Sequence, residues 1–212
     1  MSETSGTYIQ IDLQNISMEA KNRGHKVDLE KIWNYFSSRE SEFILESTVY
    51  LVRSDDYDNS KFESKLLSVG YKISPHVTEK VNKDGWFYYK PISCDVTIVM
   101  DCLSKIENFD KWIIFHCNAK PIAFKSLSFK VDRRSTPYIL PSQPDYSGLC
   151  RYLKERGKKI ELWSFKESYD PRLETCVDKI QFIDESFFYK QPFVNVFGFN
   201  WDDRLAINMD RT

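Results

Sequence analysis

Four aspartates stand where the chain changes character. "TYIQIDL" alternates apolar and polar residues and stops at Asp12, with Asn15 three residues on. "CDVTIVMD" places Asp95 and Asp101 at the two ends of an apolar run, and Asp145 precedes "YSGLCRYL". Carboxylates in or beside apolar segments are costly unless paired, hydrogen-bonded or bound to metal. Such acids therefore either cap turns and helices or converge on a ligand. Asp12 suits a turn cap. Asp95 and Asp145 suit helix N-caps, a role worth about 1 kcal/mol, and capping is compatible with ligation at a helix start. Asp101 lies six residues after Asp95, about 120° around a helix, so the two need not face one point.

Regular elements must position these acids. After the first strand, "KVDLEKIWNYFSSRE" carries Val27, Leu29, Ile32 and Phe36 at helical spacing with Asp28 as a cap. "STVYLVRS" is a second strand. "NSKFESKLLSVGYKI" gives a helix through Phe62, Leu66 and Leu67, a stop at Gly70 and a third strand near Tyr71 to Ile73. "TEKVNKDGWFYYKPI" reads as a hairpin folded at Asp84-Gly85. A helix from Asp95 to about residue 106 and a strand over 111–116 follow. "DYSGLCRYLKERGKK" is a helix stopped at Gly157, "KIELWSF" a strand, and "PRLETCVDKIQFID" a last helix and short strand. Strands alternating with helices predict an α/β fold with a mostly parallel sheet of about five strands and helices on both faces. Ligands of such sheets sit at the carboxyl ends of the strands. Asp12, Asp95 and Asp145 collect at that edge.

The 212 residues suit one domain, and 42% apolar and 15% aromatic content supports a packed core. With 30 basic against 31 acidic residues, the balance gives no global pull toward nucleic acid or anionic membrane. A nucleic-acid contact must come from a local patch, and the hairpin offers one. It interleaves Lys80, Lys83 and Lys90 with Trp86, Phe87, Tyr88 and Tyr89, the combination that holds single-stranded RNA by phosphate charge and base stacking. The competing reading is an amphipathic hairpin with one face in the core. Five widely spaced cysteines without a C-x-x-C pair argue against a zinc site or disulfide framework and read as core. That usage, with no signal-peptide pattern or membrane-spanning run, fits a cytoplasmic or nuclear setting. His25, His76 and His116 fall in unrelated elements with no triad partner and read as loop or surface. No G-x-G-x-x-G follows strand one, which argues against dinucleotide redox chemistry.

These elements together resemble the NYN domain, a branch of the PIN-like nuclease superfamily with a Rossmannoid three-layer sandwich. The likeness runs through "IQIDLQNI", "GYKI", "CDVTIVMDCL", "GLCRYLKERGKKIELWSF" and "CVDKIQFID", about residues 8 to 184. Asp12 and Asn15 match a strand ending in I-D-x-x-N. Asp95 and Asp101 match a D-V-x-x-x-x-D helix start, although Ser93-Cys94 replaces the usual approach. The family's S-G-D-x-D element is altered. Aligned backward from "YSGLCRYL" it falls on residues 141–145, with Asp145 as its second acid and Gln143 in place of the first. Aligned forward from "DKWIIF" it falls on residues 116–120, with Asn118 and no acid. An insertion over about 118–141 splitting the element accommodates both.

The resemblance implies a metal-dependent endoribonuclease using Mg²⁺ or Mn²⁺. Asp12 and Asp95 would be the central ligands, Asn15 would orient Asp12 or touch phosphate, and Asp145 and Asp101 would assist. RNA would be the partner, contacted through Lys80, Lys83, Trp86 and Lys90. The alternative is a catalytically degenerate NYN fold that binds RNA or a protein. The domain would cover residues 1–184. Residues 185–212 form an aromatic-rich extension, expected to pack on the domain and to offer a surface for a second copy or a protein partner.

Overall fold

The computed structural model of the chain describes residues 6–40, 42–54, 58–78, 80–83, 86–89, 93–118 and 145–189. Strand β1 (Gly6–Asp12) is buried along its whole length, and helix α1 (Leu13–Asn22) begins at once behind it. Helix α2 (Leu29–Ser37) is capped by Asp28, whose carboxylate accepts the backbone N–H groups of Glu30 and Lys31. Strand β2 (Phe43–Ser54), helix α3 (Ser60–Val69) and strand β3 (Lys72–Thr78) follow. Gly70 ends α3 at φ +116°, and a Cβ there would stand 2.6 Å from the Trp33 ring, so both conformation and packing require glycine. The hairpin of β4 (Lys80–Lys83) and β5 (Trp86–Tyr89) leads to helix α4 (Asp95–Ser104). Strand β6 (Lys111–Phe115), helix α5 (Ser147–Glu155), strand β7 (Lys159–Ser164) and strand β8 (Lys179–Phe182) complete the order.

Six strands form one sheet in the order β3-β2-β1-β6-β7-β8, and every pairing is parallel. The α/β architecture is the expected one, with six strands where the sequence suggests about five. Alternation along β1 divides the interior. Ile9 and Ile11 face a core shared with α1, α2 and α3, whereas Tyr8 belongs to the core beneath α4 and α5. Helices thus cover both faces.

Several local expectations need correction. Helix α1 is an addition to the expected elements: Leu13, Ile16 and Ala20 are buried at helical spacing, and its N-terminus is the same Asp12 that ends the strand, so strand and helix share one boundary residue. Strands β2 and β3 extend beyond the apolar runs that mark them. Asp95 is the first residue of α4, not its cap; Cys94 holds the cap position, and its own side chain makes no capping hydrogen bond. Tyr146 likewise occupies the cap position of α5. The expected last helix is a single 3-10 turn, Pro171–Leu173. From the C-terminal extension, Phe187 and Phe188 are buried, and Phe188 bridges antiparallel to Val27. Residues 190–212 lie outside the described residues, as do residues 119–144 and the Asp84-Gly85 turn.

Candidate active site

The site grows from adjacent strand ends. Strands β1 and β6 pair through Ile11 and Phe115, so the next residue on each, Asp12 and His116, leaves the sheet side by side. Asp12 ends β1 and caps α1. Its Oδ1 accepts the Asn15 backbone N–H at 3.2 Å, and its Oδ2 accepts the Asn15 amide at 2.6 Å. Nδ1 of His116 lies 3.0 Å from the same Oδ2. Asp12 and His116 are 2% and 1% exposed, so this contact is dry.

Asp95 arrives from α4. Tyr146, buried at the start of α5, donates its hydroxyl to Oδ1 at 2.7 Å. The Ser93 hydroxyl donates to Oδ2 and accepts the Asp95 backbone N–H at 3.1 Å. The Tyr146 ring also meets the His116 ring edge-on, with centroids 4.9 Å apart. One tyrosine therefore locates two of the three groups. A carboxylate oxygen from each of Asp12 and Asp95 and a ring nitrogen of His116 all lie within 4.8 Å of one another.

The negative charge is visible in its neighbours. Burial and then the charges of Asp95 and Asp12 push the Tyr146 hydroxyl pKa up. Burial, followed by Asp12 and Asp95, does the same to the Cys94 thiol. His76, on edge strand β3, has its pKa lowered by burial against an opposing pull from Asp101 and Asp12.

The other expected acids are engaged elsewhere. Asp101 accepts the Tyr50 hydroxyl at 2.8 Å and is not part of the close trio. Half a helix of apolar residues separates it from Asp95, and its face of α4 meets β2. Asp145 is half exposed, accepts the Ser147 backbone N–H at 2.9 Å and pairs with Arg172 at 3.7 Å. Those hydrogen bonds from Ser147, with lesser help from Arg172, lower its pKa. It too is outside the trio. Asn118 donates its backbone N–H to Ser168 at 2.6 Å, while its Oδ1 is buried without a partner among the described residues. Gln143 and Lys90 lie outside the described residues. The backbone of the hairpin pairs Lys80 with Tyr89 and Lys83 with Trp86.

His116 is a site residue outside the expected set, and it is buried rather than in a surface loop. Its signal was positional: it is the first residue after the strand that neighbours β1.

The family model of the NYN domain matches residues 6–127, more than half of the chain. The chain belongs to the NYN family. That match includes Asp12, Asp95 and His116 and ends before α5, so "GLCRYLKERGKKIELWSF" and "CVDKIQFID" lie beyond it. The low amplitude and bright protein LabA of Synechococcus elongatus is 25% identical over 109 residues, which are 50% of this chain and 59% of that protein. This NYN chain thus matches little more than half the length of that relative. A crystal structure of a Vibrio parahaemolyticus protein of unknown function shares the fold, with a TM-score of 0.65 over 89% of this chain and 99% of that one at 18% identity. NYN membership brings a nuclease-like, RNA-related function class, and the acidic cluster accords with it. Among the described residues no helix is long and apolar enough to cross a membrane.

The donor set fits a divalent cation. An ionised carboxylate offers about four lone-pair sites. Asp12 uses three of them and Asp95 two, so each retains an acceptor site for a metal. Metal–ligand bonds of about 2.1 Å allow donor atoms up to about 4.2 Å apart. Donors within 4.8 Å of one another need to close by a few tenths of an ångström at most.

Proposed function

We propose that this NYN chain is a metal-dependent endoribonuclease that hydrolyses RNA phosphodiester bonds, with Mg²⁺ or Mn²⁺ at Asp12 and Asp95. The observation that carries this reading is the meeting of both carboxylates with His116 within 4.8 Å at the carboxyl edge of the sheet. A bound cation supplies Lewis acidity toward water and the scissile phosphate. The protein's part is orientation. Asn15 fixes both oxygens of Asp12, while Ser93 and Tyr146 fix both oxygens of Asp95. In chain order the hairpin stands between the carboxyl end of β3 and the start of α4, which supports a place near this edge. We assign RNA contact to Lys80, Lys83, Trp86 and Lys90 on that ground and on their chemistry.

A second reading, an NYN fold that binds RNA without cutting it, is favoured by one observation. Among the described residues two carboxylates enter the close group, while Asp101 is held by Tyr50 and Asp145 by Ser147 and Arg172. Cleavage of single-stranded RNA with Mn²⁺ separates the two readings, using wild type, Asp12→Asn and Asp95→Asn. Weak cleavage by wild type that both substitutions abolish is expected. Retained RNA binding with no cleavage by any of the three would select the binding module.

A further inference from the structure

Helix α4 is apolar on two flanks. Ile98 and Cys102 are fully buried in the core beneath it. Val96, Val99, Met100 and Leu103 recur at i, i+3, i+4 and i+7, which gathers them on a second stripe. Val96 is 74% exposed and Met100 60%. Val99 and Leu103 are half-buried and form one wall of an open groove, whose other wall is Leu149 and Tyr152 of α5. A solvent-facing flank of a helix is ordinarily polar, and a contiguous apolar surface of this kind marks an interaction site. Of the four residues lining the groove, only Tyr152 carries a polar side-chain atom, so a small polar ligand would find little to orient it.

We propose that this α4–α5 face docks a second copy of the chain about a two-fold axis. Ridge and groove lie on the same helix: Val96 and Met100 project, and Val99 and Leu103 open the cleft beside them. A surface that carries a ridge next to its own groove is self-complementary, each copy's ridge entering the other's groove. Charge is divided in the same sense. The flank of α4 away from the groove carries Asp101, which faces Tyr50 of β2. Helix α5 carries Arg151, whose guanidinium reaches the Ser147 hydroxyl at 3.3 Å, and Arg156, 3.5 Å above the Tyr152 ring. Seating α4 of one copy in the other's groove turns its acidic flank toward the basic α5, twice over by symmetry. The face is small. A ten-residue helix is about 15 Å long and neighbouring helices stand about 10 Å apart, so the two-helix face measures about 15 by 20 Å. That is on the low side for a stable interface, so the dimer should be weak, with a Kd of about 10–100 µM.

Sedimentation equilibrium of the full chain tests this independently of metal and RNA. Wild type should pass from monomer to dimer between about 5 and about 500 µM. Met100→Lys, which puts a charge on the ridge, should remain monomeric over that range with an unchanged urea midpoint. Leu67→Lys is a control on α3, at a position 58% exposed and on the other side of the sheet, and should dimerise as wild type does. Arg151→Glu should raise the Kd about threefold or more. A wild type that stays monomeric at the highest concentration overturns the proposal, and the groove then belongs to a different occupant. A dimer that persists unchanged in Met100→Lys or in Arg151→Glu also overturns it, as does one lost in Leu67→Lys. Growth beyond dimers refutes the two-fold arrangement, because an isologous contact closes on itself.

Discussion

Replacing Gln10 with Leu should loosen the helix that carries Asp95. Gln10 is fully buried in β1, two residues before Asp12 on the same face. Its Oε1 accepts the indole N–H of Trp112 at 2.7 Å. Its amide lies 3.1 Å from both the Tyr8 hydroxyl and the Ile98 carbonyl, the latter within α4, and it also reaches Tyr50. Tyr50 in turn donates to Asp101 on the same helix. Leucine nearly fills the amide's volume, so the cavity term is small. The principal loss is the Trp112 N–H, which is left without an acceptor at 0% exposure. An orphaned buried donor costs about 1–3 kcal/mol and the lost bond to Ile98 about 1 kcal/mol more. A total of about 2–4 kcal/mol corresponds to a drop of about 4–16 °C in Tm for a chain of this size. Urea unfolding followed by tryptophan fluorescence measures it, with Trp112→Phe and the double variant completing a cycle. The double variant should be more stable than the sum of the two losses predicts by about 1 kcal/mol or more, because it removes donor and acceptor together. A Gln10→Leu protein within about 0.5 kcal/mol of wild type would refute the reasoning, since surface substitutions alone give that much.

Asp101→Asn keeps an oxygen for the Tyr50 hydroxyl and should leave Mn²⁺ affinity within about twofold by calorimetry, whereas Asp95→Asn should weaken it more than about tenfold; equal losses would mean that Asp101 is a ligand after all. The hydrogen bonds from Arg172, opposed by burial and aided by the Arg172 backbone N–H, hold the Asp170 pKa below its ordinary value. Its stabilisation is therefore present above about pH 4 and lost as pH falls through the lowered value, so the acid slope of the urea midpoint should flatten in Asp170→Asn; an unchanged slope would contradict this. All five cysteines are buried, and burial pushes the Cys94, Cys102 and Cys117 thiols upward and Cys150 up to about 12. An aromatic disulfide reagent should label none in the native protein within minutes and all five in denaturant; rapid native labelling of any would contradict the burial.

Much of the fold is legible locally. Asp28 announces α2, Gly70 ends α3, and alternation in "TYIQIDL" marks β1, because caps, left-handed turns and side-chain period depend on a few neighbouring residues. Those signals also set Asp12 at a strand end and Asp95 at a helix start. The apolar run between Asp95 and Asp101 marks a helix, of which Ile98 is buried and Val96 and Met100 are exposed, yet it does not show that one acid turns to the strand ends and the other to Tyr50. That division depends on how α4 lies against β1 and β2, through Ile98, Tyr50 and Gln10. His116 depends on tertiary structure even more completely. Within its own stretch it is a lone histidine after a strand. It meets Asp12 only because β6 pairs with β1 across a sequence separation of 104 residues, in a register that aligns their ends. Residue types and spacing determined which elements form and which acids lie at their ends. Parallel strand pairing and helix docking, which act between segments remote in the chain, decided which of those groups share one buried point and which are spent on holding the frame.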